Sequence, residues 1–178
     1  MNGYSASANG RLAAMRRAFD GAFAAPARLH EADLEPLLLI RAGGEALALR
    51  SLHIARLART GRILPVPSRI PELLGITGIR GTLTAVFDLA ALLGFSSGGA
   101  QPLWLALTRD ETPVALAFDQ VEGQIAAPRT SLYEQPSAAC EHIRQVAHIE
   151  PTARAVADIP AIVETLRRRA GLINPDKE

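Results

Sequence analysis

Three prolines followed by three glycines set the terms for this chain. Between Thr60 and Leu93 the sequence reads T-G-R-I-L-P-V-P-S-R-I-P-E-L-L-G-I-T-G-I-R-G-T-L-T-A-V-F-D-L-A-A-L-L. Proline lacks a backbone donor, fixes φ and pushes the residue before it away from helix. Pro65, Pro67 and Pro71 therefore predict an extended connector. Gly75, Gly78 and Gly81 then recur at steps of three through an apolar run. Glycine in strand-like sequence marks a bend, a bulge or a close approach of backbones. Leu83 to Phe87 reads as a strand. Asp88 follows as a helix cap, Leu89 to Leu93 as one short helical turn, and Gly94 as its stop.

The rest of the chain carries many short strand signals. Leu37 to Arg41 predicts a strand, Gly43-Gly44 a hairpin turn, and Glu45 to Leu49 the returning strand, with Leu47 and Leu49 on one face. Ser51 to Arg59 holds Leu52, Ile54 and Leu57 with His53 and Arg56 between them. Its spacing admits a short helix as well as an extended segment. Ser96 to Gly99 is a turn. Leu103 to Thr108 and Val114 to Phe118 flank the polar turn Arg109 to Thr112. Gln124 to Pro128 is a further short strand, Arg129 to Cys140 a polar loop, and Ile143 to Ile149 a strand. After the turn at Pro151-Thr152, Ala155 to Ile159 is a last strand and Ala161 to Arg169 a helix. Close strand spacing with turn residues between argues an all-β barrel or sandwich. V-F-D-L at Val86 to Leu89 is loosely echoed by V-A-D-I at Val156 to Ile159.

The first 34 residues differ. Met1 to Gly10 are small and polar and predict an unstructured start. In Arg11 to Phe23, Leu12, Met15, Phe19 and Phe23 fall on one helical face, and Gly21 and Pro26 limit the helix. That helix could pack on its own domain, dock a partner or lie on a membrane surface.

Several chemistries are set aside by what is missing. Aromatic residues are 4% of a chain that is 48% hydrophobic, so its core must be built from Leu, Ile, Val and Ala. The formal net charge is +1, which gives no general attraction to nucleic acid. Arg167-Arg168-Arg169 reads as the basic last turn of a helix. A single cysteine, Cys140, forms no internal disulfide and suits a reducing cytoplasm. No apolar run has transmembrane length, and no signal segment opens the chain, so no membrane insertion is expected. His142 and His148 lack Cys, Asp or Glu companions at ligand spacing, so no metal is expected. G-x-x-G-x-x-G after a proline connector is not a dinucleotide fingerprint. Asp88 and Asp119 end strands, where carboxylates cap and turn the chain rather than pair for catalysis. No base accompanies Cys140. The reading is of a protein with no catalytic residue and no cofactor. Arg80 stands out, a charge between Ile79 and Gly81 in an apolar stretch. It must either pair internally, with a carboxylate such as Asp88, or meet a partner at the surface.

Taken together, Pro65-Val66-Pro67, Gly75-Ile76-Thr77-Gly78-Ile79-Arg80-Gly81, Val86-Phe87-Asp88-Leu89 and Leu92-Leu93-Gly94 resemble the core signature of the CheW-like domain family. That signature is roughly G-(V/I)-x-N-L-R-G, six residues, then D-L; here Thr82 to Phe87 are the six. F-D-Q-V at Phe118 to Val121 is similar to a second family pattern, V-D-x-V. The resemblance runs over about Leu37 to Leu166. Gly78 stands where the family usually has Asn, Ala85 where it has Pro, and Arg56 where it has Glu. The resemblance implies a mainly β fold of two SH3-like, five-stranded barrels with short terminal helices, over residues 35–173, between an N-terminal extension (1–34) and a tail (174–178). It favours a turn and then a strand over Ser51 to Arg59. It further implies a non-catalytic cytoplasmic adaptor recruited to receptor arrays. One partner would be the cytoplasmic domain of a methyl-accepting chemoreceptor, the other the regulatory domain of a chemotaxis-type histidine kinase. Carried over by position, Ile54, Leu57 and Val121 fall near the receptor groove, Arg80 is the motif arginine, and Arg56 reverses a charge facing the receptor. A chemosensory pathway driving pili rather than flagella fits the resemblance equally, and a small β-barrel ligand-binding protein is the reading from another class.

Overall fold

The hydrophobic pattern from Leu34 onward resolves into strands that leave little room for helix. The computed structural model describes residues 33–96, 101–135 and 140–170. The chain divides into two units, 1–32 and 33–178. The helix expected over Arg11 to Phe23, the glycines after Ser97 and the tail at 174–178 lie outside the described residues.

Eleven strands are formed among those residues: β1 (Leu34–Ala42), β2 (Glu45–Arg50), β3 (Ile54–Arg59), β4 (Leu73–Ile79), β5 (Thr82–Asp88), β6 (Trp104–Thr108), β7 (Ala115–Phe118), β8 (Gln120–Pro128), β9 (Leu132–Glu134), β10 (Ile143–Ile149) and β11 (Thr152–Ala157). The helices are α1 (Leu89–Leu92) and α2 (Ile159–Arg169). Most sequence expectations stand; one open alternative is settled and several boundaries move, among them the last strand, which is Thr152–Ala157 with Ile159 already in the helix. The glycine run is itself a strand, β4. Ser51–His53 is a 3-10 turn that feeds β3, so the turn-then-strand reading holds there. The strand expected from Gln124 begins at Gln120, because Val121, Gly123 and Ile125 alternate inward across a glycine that hid the pattern. The supposed polar loop after Arg129 contains a 3-10 turn and the short β9, which pairs with β10.

The strands form two sheets, ordered β3-β6-β7-β5-β4 and β8-β1-β2-β11-β10-β9. One lobe is five-stranded as expected; the other gains a sixth strand from β9. The two match strand for strand. Each begins with an edge strand, β3 or β8, beside a hairpin, β6-β7 or β1-β2. The inner strand of that hairpin pairs in parallel with β5 or β11, and β4 or β10 completes a second hairpin. Outside β4 lies the isolated bridge Leu64↔Ile76, where the other lobe has β9. The chain alternates between lobes: β1 and β2 complete the lobe made by β8 to β11, and β6 and β7 complete the lobe made by β3 to β5.

Three apolar clusters account for the composition. Val86, Leu105, Ala115 and Ala117 fill one lobe; Leu37, Ala48, Ala127, Ala147 and Val156 fill the other. Between the sheets lies a larger shared core including Leu38, Ile40, Leu49, Phe87, Leu116, Phe118, Ile159, Ile162 and Leu166. Successive residues of β1 and β7 thus serve different cores. Strands buried on both faces lose the alternation of a half-exposed sheet, which explains the unbroken L-L-L-I and A-L-A-F runs. α2 closes the seam, with Ile162 fully buried. Its basic last turn reaches the opposite lobe: Arg167 pairs with Asp110, and Arg169 with Glu72 at 2.9 Å.

Candidate functional site

β3 enters from the 3-10 turn Ser51–His53, and Arg109 holds that entry in place. Its Nε donates to the Leu52 carbonyl (3.1 Å), its Nη2 to that of Ile54 (3.2 Å), and its backbone N–H to that of His53 (2.8 Å). Burial, with help from nearby Arg50, lowers the pKa of His53 from its ordinary 6.5. β3 then carries a bulge: Ile54 pairs with Thr108 and Arg56 with Leu107, leaving Ala55 as the extra residue. A bulge re-aims the side chains around it. Ile54 and Leu57 consequently both reach the shared core although they are three apart. Val121, opposite Ile40 in the other lobe, packs against that same core from β8. Near the lobe junction a groove of about 150 Å³ is lined by Leu38, Ser51, Ile54, Ala55, Arg56, Leu57 and Gln124. The structure therefore gathers Ile54, Arg56 and Leu57 at one groove and sets Val121 on the same core nearby.

Arg80 stands elsewhere. It and Gly81 form the two-residue turn between β4 and β5, with φ of 50° and 84°. Two positive φ values are the pattern of the type I′ hairpin, which matches strand twist and favours Asn or Gly. Arg80 is exposed and makes no hydrogen bond or ion pair among the described residues. The internal pair with Asp88 considered above is out of reach. β5 runs between them, and its length at about 3.3 Å per residue separates them by roughly 20 Å. Asp88 instead accepts from the N–H groups of Ala90 (2.9 Å) and Ala91 (3.3 Å), capping α1.

The motif glycines divide by role. Gly75 has φ +143°, and a Cβ there would lie 2.2 Å from the Leu64 carbonyl oxygen. Only glycine admits that crossing of the proline connector. Gly81 serves the hairpin turn. Gly78 has open space around it, and leaves its cross-strand neighbour Leu83 uncovered, 73% exposed. The bare Leu83 and the groove residues Ser51 and Gln124 are features that sequence reasoning missed. A glycine facing a leucine across a hairpin was the one available signal, and it needed the register.

The remaining candidate groups have structural work. The Asp119 carboxylate accepts from the Gly43 N–H at 2.7 Å and secures the β1-β2 turn. His148 meets Tyr133 edge-on at 5.3 Å. Cys140 lines a polar cleft that also holds Glu134, Glu141 and Arg144. Among the described residues no group of His, Cys, Asp and Glu could hold a metal ion. No helix among them is long and apolar enough to cross a membrane. What this surface offers is contact: a groove of mixed apolar and polar lining, a cation on a hairpin tip and a bare leucine.

The CheW-like domain family matches the chain over residues 36–167, and the chain belongs to that family. The structure is similar to that of scaffolding protein TtCheW from Thermoanaerobacter tengcongensis, with a TM-score of 0.63 at 16% identity, covering 70% of this chain and 88% of that one. At that identity the likeness establishes the fold. Comparison with curated protein sequences finds no significant match.

Proposed function

We propose that this chain is a non-catalytic adaptor that couples the cytoplasmic tips of chemoreceptors to the regulatory domain of a chemotaxis-type histidine kinase, in the cytoplasm and at receptor arrays. The groove beside β3 receives an apolar helix of the receptor hairpin, held by Ile54 and Leu57, with Val121 supporting the shared core beside them. The β4-β5 hairpin meets the kinase domain through Arg80. The observation that carries this reading is that two different elements present the two surfaces: the groove is lined at the β3 bulge, and Arg80 stands exposed on the turn between β4 and β5. Two docking surfaces on one well-packed body suit an adaptor.

Arg80 adds a second argument. An L-residue at positive φ costs on the order of 1 kcal/mol relative to glycine. Strain kept at an exposed arginine fits a role in binding better than one in folding. Arg80→Gly keeps the turn and removes only the guanidinium. It should leave the urea midpoint unchanged or raised, and weaken the kinase regulatory domain about tenfold or more in a calorimetric titration. Receptor-fragment affinity should stay constant. Equal affinities for both partners before and after the substitution would return Arg80 to the status of a solvated charge.

A further inference from the structure

We infer that the groove selects its occupant by charge: the helix that docks there carries an Asp or Glu which pairs with Arg56. This rests on the adaptor reading above and adds the chemistry of the partner. Arg56 is half-buried in β3, directly after the bulge at Ala55. Its companions in the groove wall, Leu38, Ser51, Ile54, Leu57 and Gln124, are all neutral. Among the described residues Arg56 has no hydrogen bond and no ion pair. Several other arginines among the described residues are matched, and those that are not, Arg80 among them, are exposed. Arg41 and Arg154 share Glu122, Arg50 and Arg129 share Glu35, and Arg59 lies over the Trp104 ring at 4.1 Å.

A second, independent feature lies in the same wall. The Ser51 hydroxyl is buried and has no hydrogen-bond partner among the described residues. A buried hydroxyl left unmatched is costly, so something that satisfies it is favoured. A guanidinium with five donors, a hydroxyl that can donate and an exposed amide at Gln124 make a donor set for one carboxylate. Ile54 and Leu57 supply the apolar contact for the helix that carries it. A Lys or Arg at the same place on the partner would meet Arg56 with nothing nearby to neutralise it, and would be rejected.

The test uses the full chain and a soluble fragment bearing the cytoplasmic hairpin tip of a chemoreceptor encoded in the same genome. Each Asp and Glu of the tip is also replaced in turn by Lys. Arg56→Gln should lower affinity about tenfold, and Arg56→Glu about thirtyfold or more. One acid-to-Lys fragment should bind the wild-type chain poorly and the Arg56→Glu chain nearly as well as the original pair. Raising the salt should weaken the wild-type complex more than the Arg56→Gln complex. Urea unfolding of both variants separates lost binding from lost folding, and Arg56→Gln keeps the test open if the charge reversal unfolds β3. If the fragment binds wild type and both folded variants alike, the carboxylate pairing is wrong and the adaptor reading stands. If the fragment fails to bind the wild-type chain, the adaptor reading falls and this inference with it.

Discussion

The two lobes are built on one plan and finished differently. Gly75 in β4 and Gln145 in β10 occupy the same place: each follows a register shift and faces Val86 or Val156 across its hairpin. Asp88 and Asp158 likewise match, each capping the helix that follows. Even a backbone bond repeats, from Asp88 N–H to the Glu72 carbonyl and from Asp158 N–H to that of His142, both 2.8 Å. Yet the hairpin tips are Arg80-Gly81 in one lobe and Glu150-Pro151 in the other. The outer neighbour is one bridge at Leu64 in one lobe and a strand in the other. One helix has 4 residues and the other 11. The framework tolerates change at its tips and its outer edges, and the proposed contact surfaces use one of each.

The longest contrast is between the helices. Ile162 on α2 is fully buried in the shared core, while Leu92 on α1 is 8% exposed at its margin. Ile162→Ala should cost about 4 kcal/mol and Leu92→Ala about 2, both read from urea unfolding, within the usual range for truncating a buried aliphatic side chain. Equal costs would mean that the seam is no more tightly packed under α2 than under α1.

Next comes the pair of matching bulges. Gly75→Ala places a methyl group against the Leu64 carbonyl at a backbone angle alanine resists, and should cost about 3 kcal/mol or more. Gln145→Ala removes one hydrogen bond to Arg50 and should cost about 1 kcal/mol. Gly78→Ala, in open space, should be neutral or slightly stabilising. If Gly75 and Gln145 prove equally replaceable, the proline connector does not fix the bend of β4.

The caps should differ less. Asp88→Ala and Asp158→Ala should each cost about 1 kcal/mol. The effect at Asp88 should be at least as large, because its carboxylate accepts from two N–H groups and that of Asp158 from Ala161 alone, at 3.2 Å.

The smallest expected effect is one of pH. His142 is buried and its Nδ1 has no partner among the described residues. Burial lowers its pKa from 6.5, partly opposed by the Glu141 charge. The folded state therefore favours the neutral ring. That preference contributes fully above pH 6.5 and is lost as pH falls through and below that value. The thermal midpoint should drop between about pH 7 and pH 5, and drop less in His142→Gln. Parallel midpoints for the two proteins would show that the His142 ring does not sense the change.

Much of this was open to a reader of the sequence, for definite reasons. Proline and glycine act through local backbone geometry, so the connector, the Gly43-Gly44 turn and the Asp88 cap could be read in place. β4 was obscured because its glycines supply no alternating side chains, and β9 because three residues carry no period. The exchange of hairpins between lobes is a matter of long-range pairing, and no local pattern records it. Of the candidate contact residues, Ile54, Leu57 and Val121 came from resemblance to a family, while Arg80 already stood out as a charge in an apolar stretch. Ser51 and Gln124 had no sequence signal, since a serine in a turn and a glutamine in a strand become wall residues only when β3, β1 and β8 meet.

The alternation of the chain between lobes also sets a schedule. The hairpin formed by residues 34–50 completes a sheet whose other members end at Ala157. During synthesis at about 5–20 residues per second, that hairpin waits on the order of ten seconds for its partners. The side chains that it turns toward its own lobe, Leu37 and Ala48, lack their partners Ala147 and Val156 for all of that time. The lobe made by β3 to β7, by contrast, is complete as soon as Phe118 has emerged. The nascent chain thus carries one finished lobe and one exposed greasy ribbon, which is the form in which it most needs a chaperone.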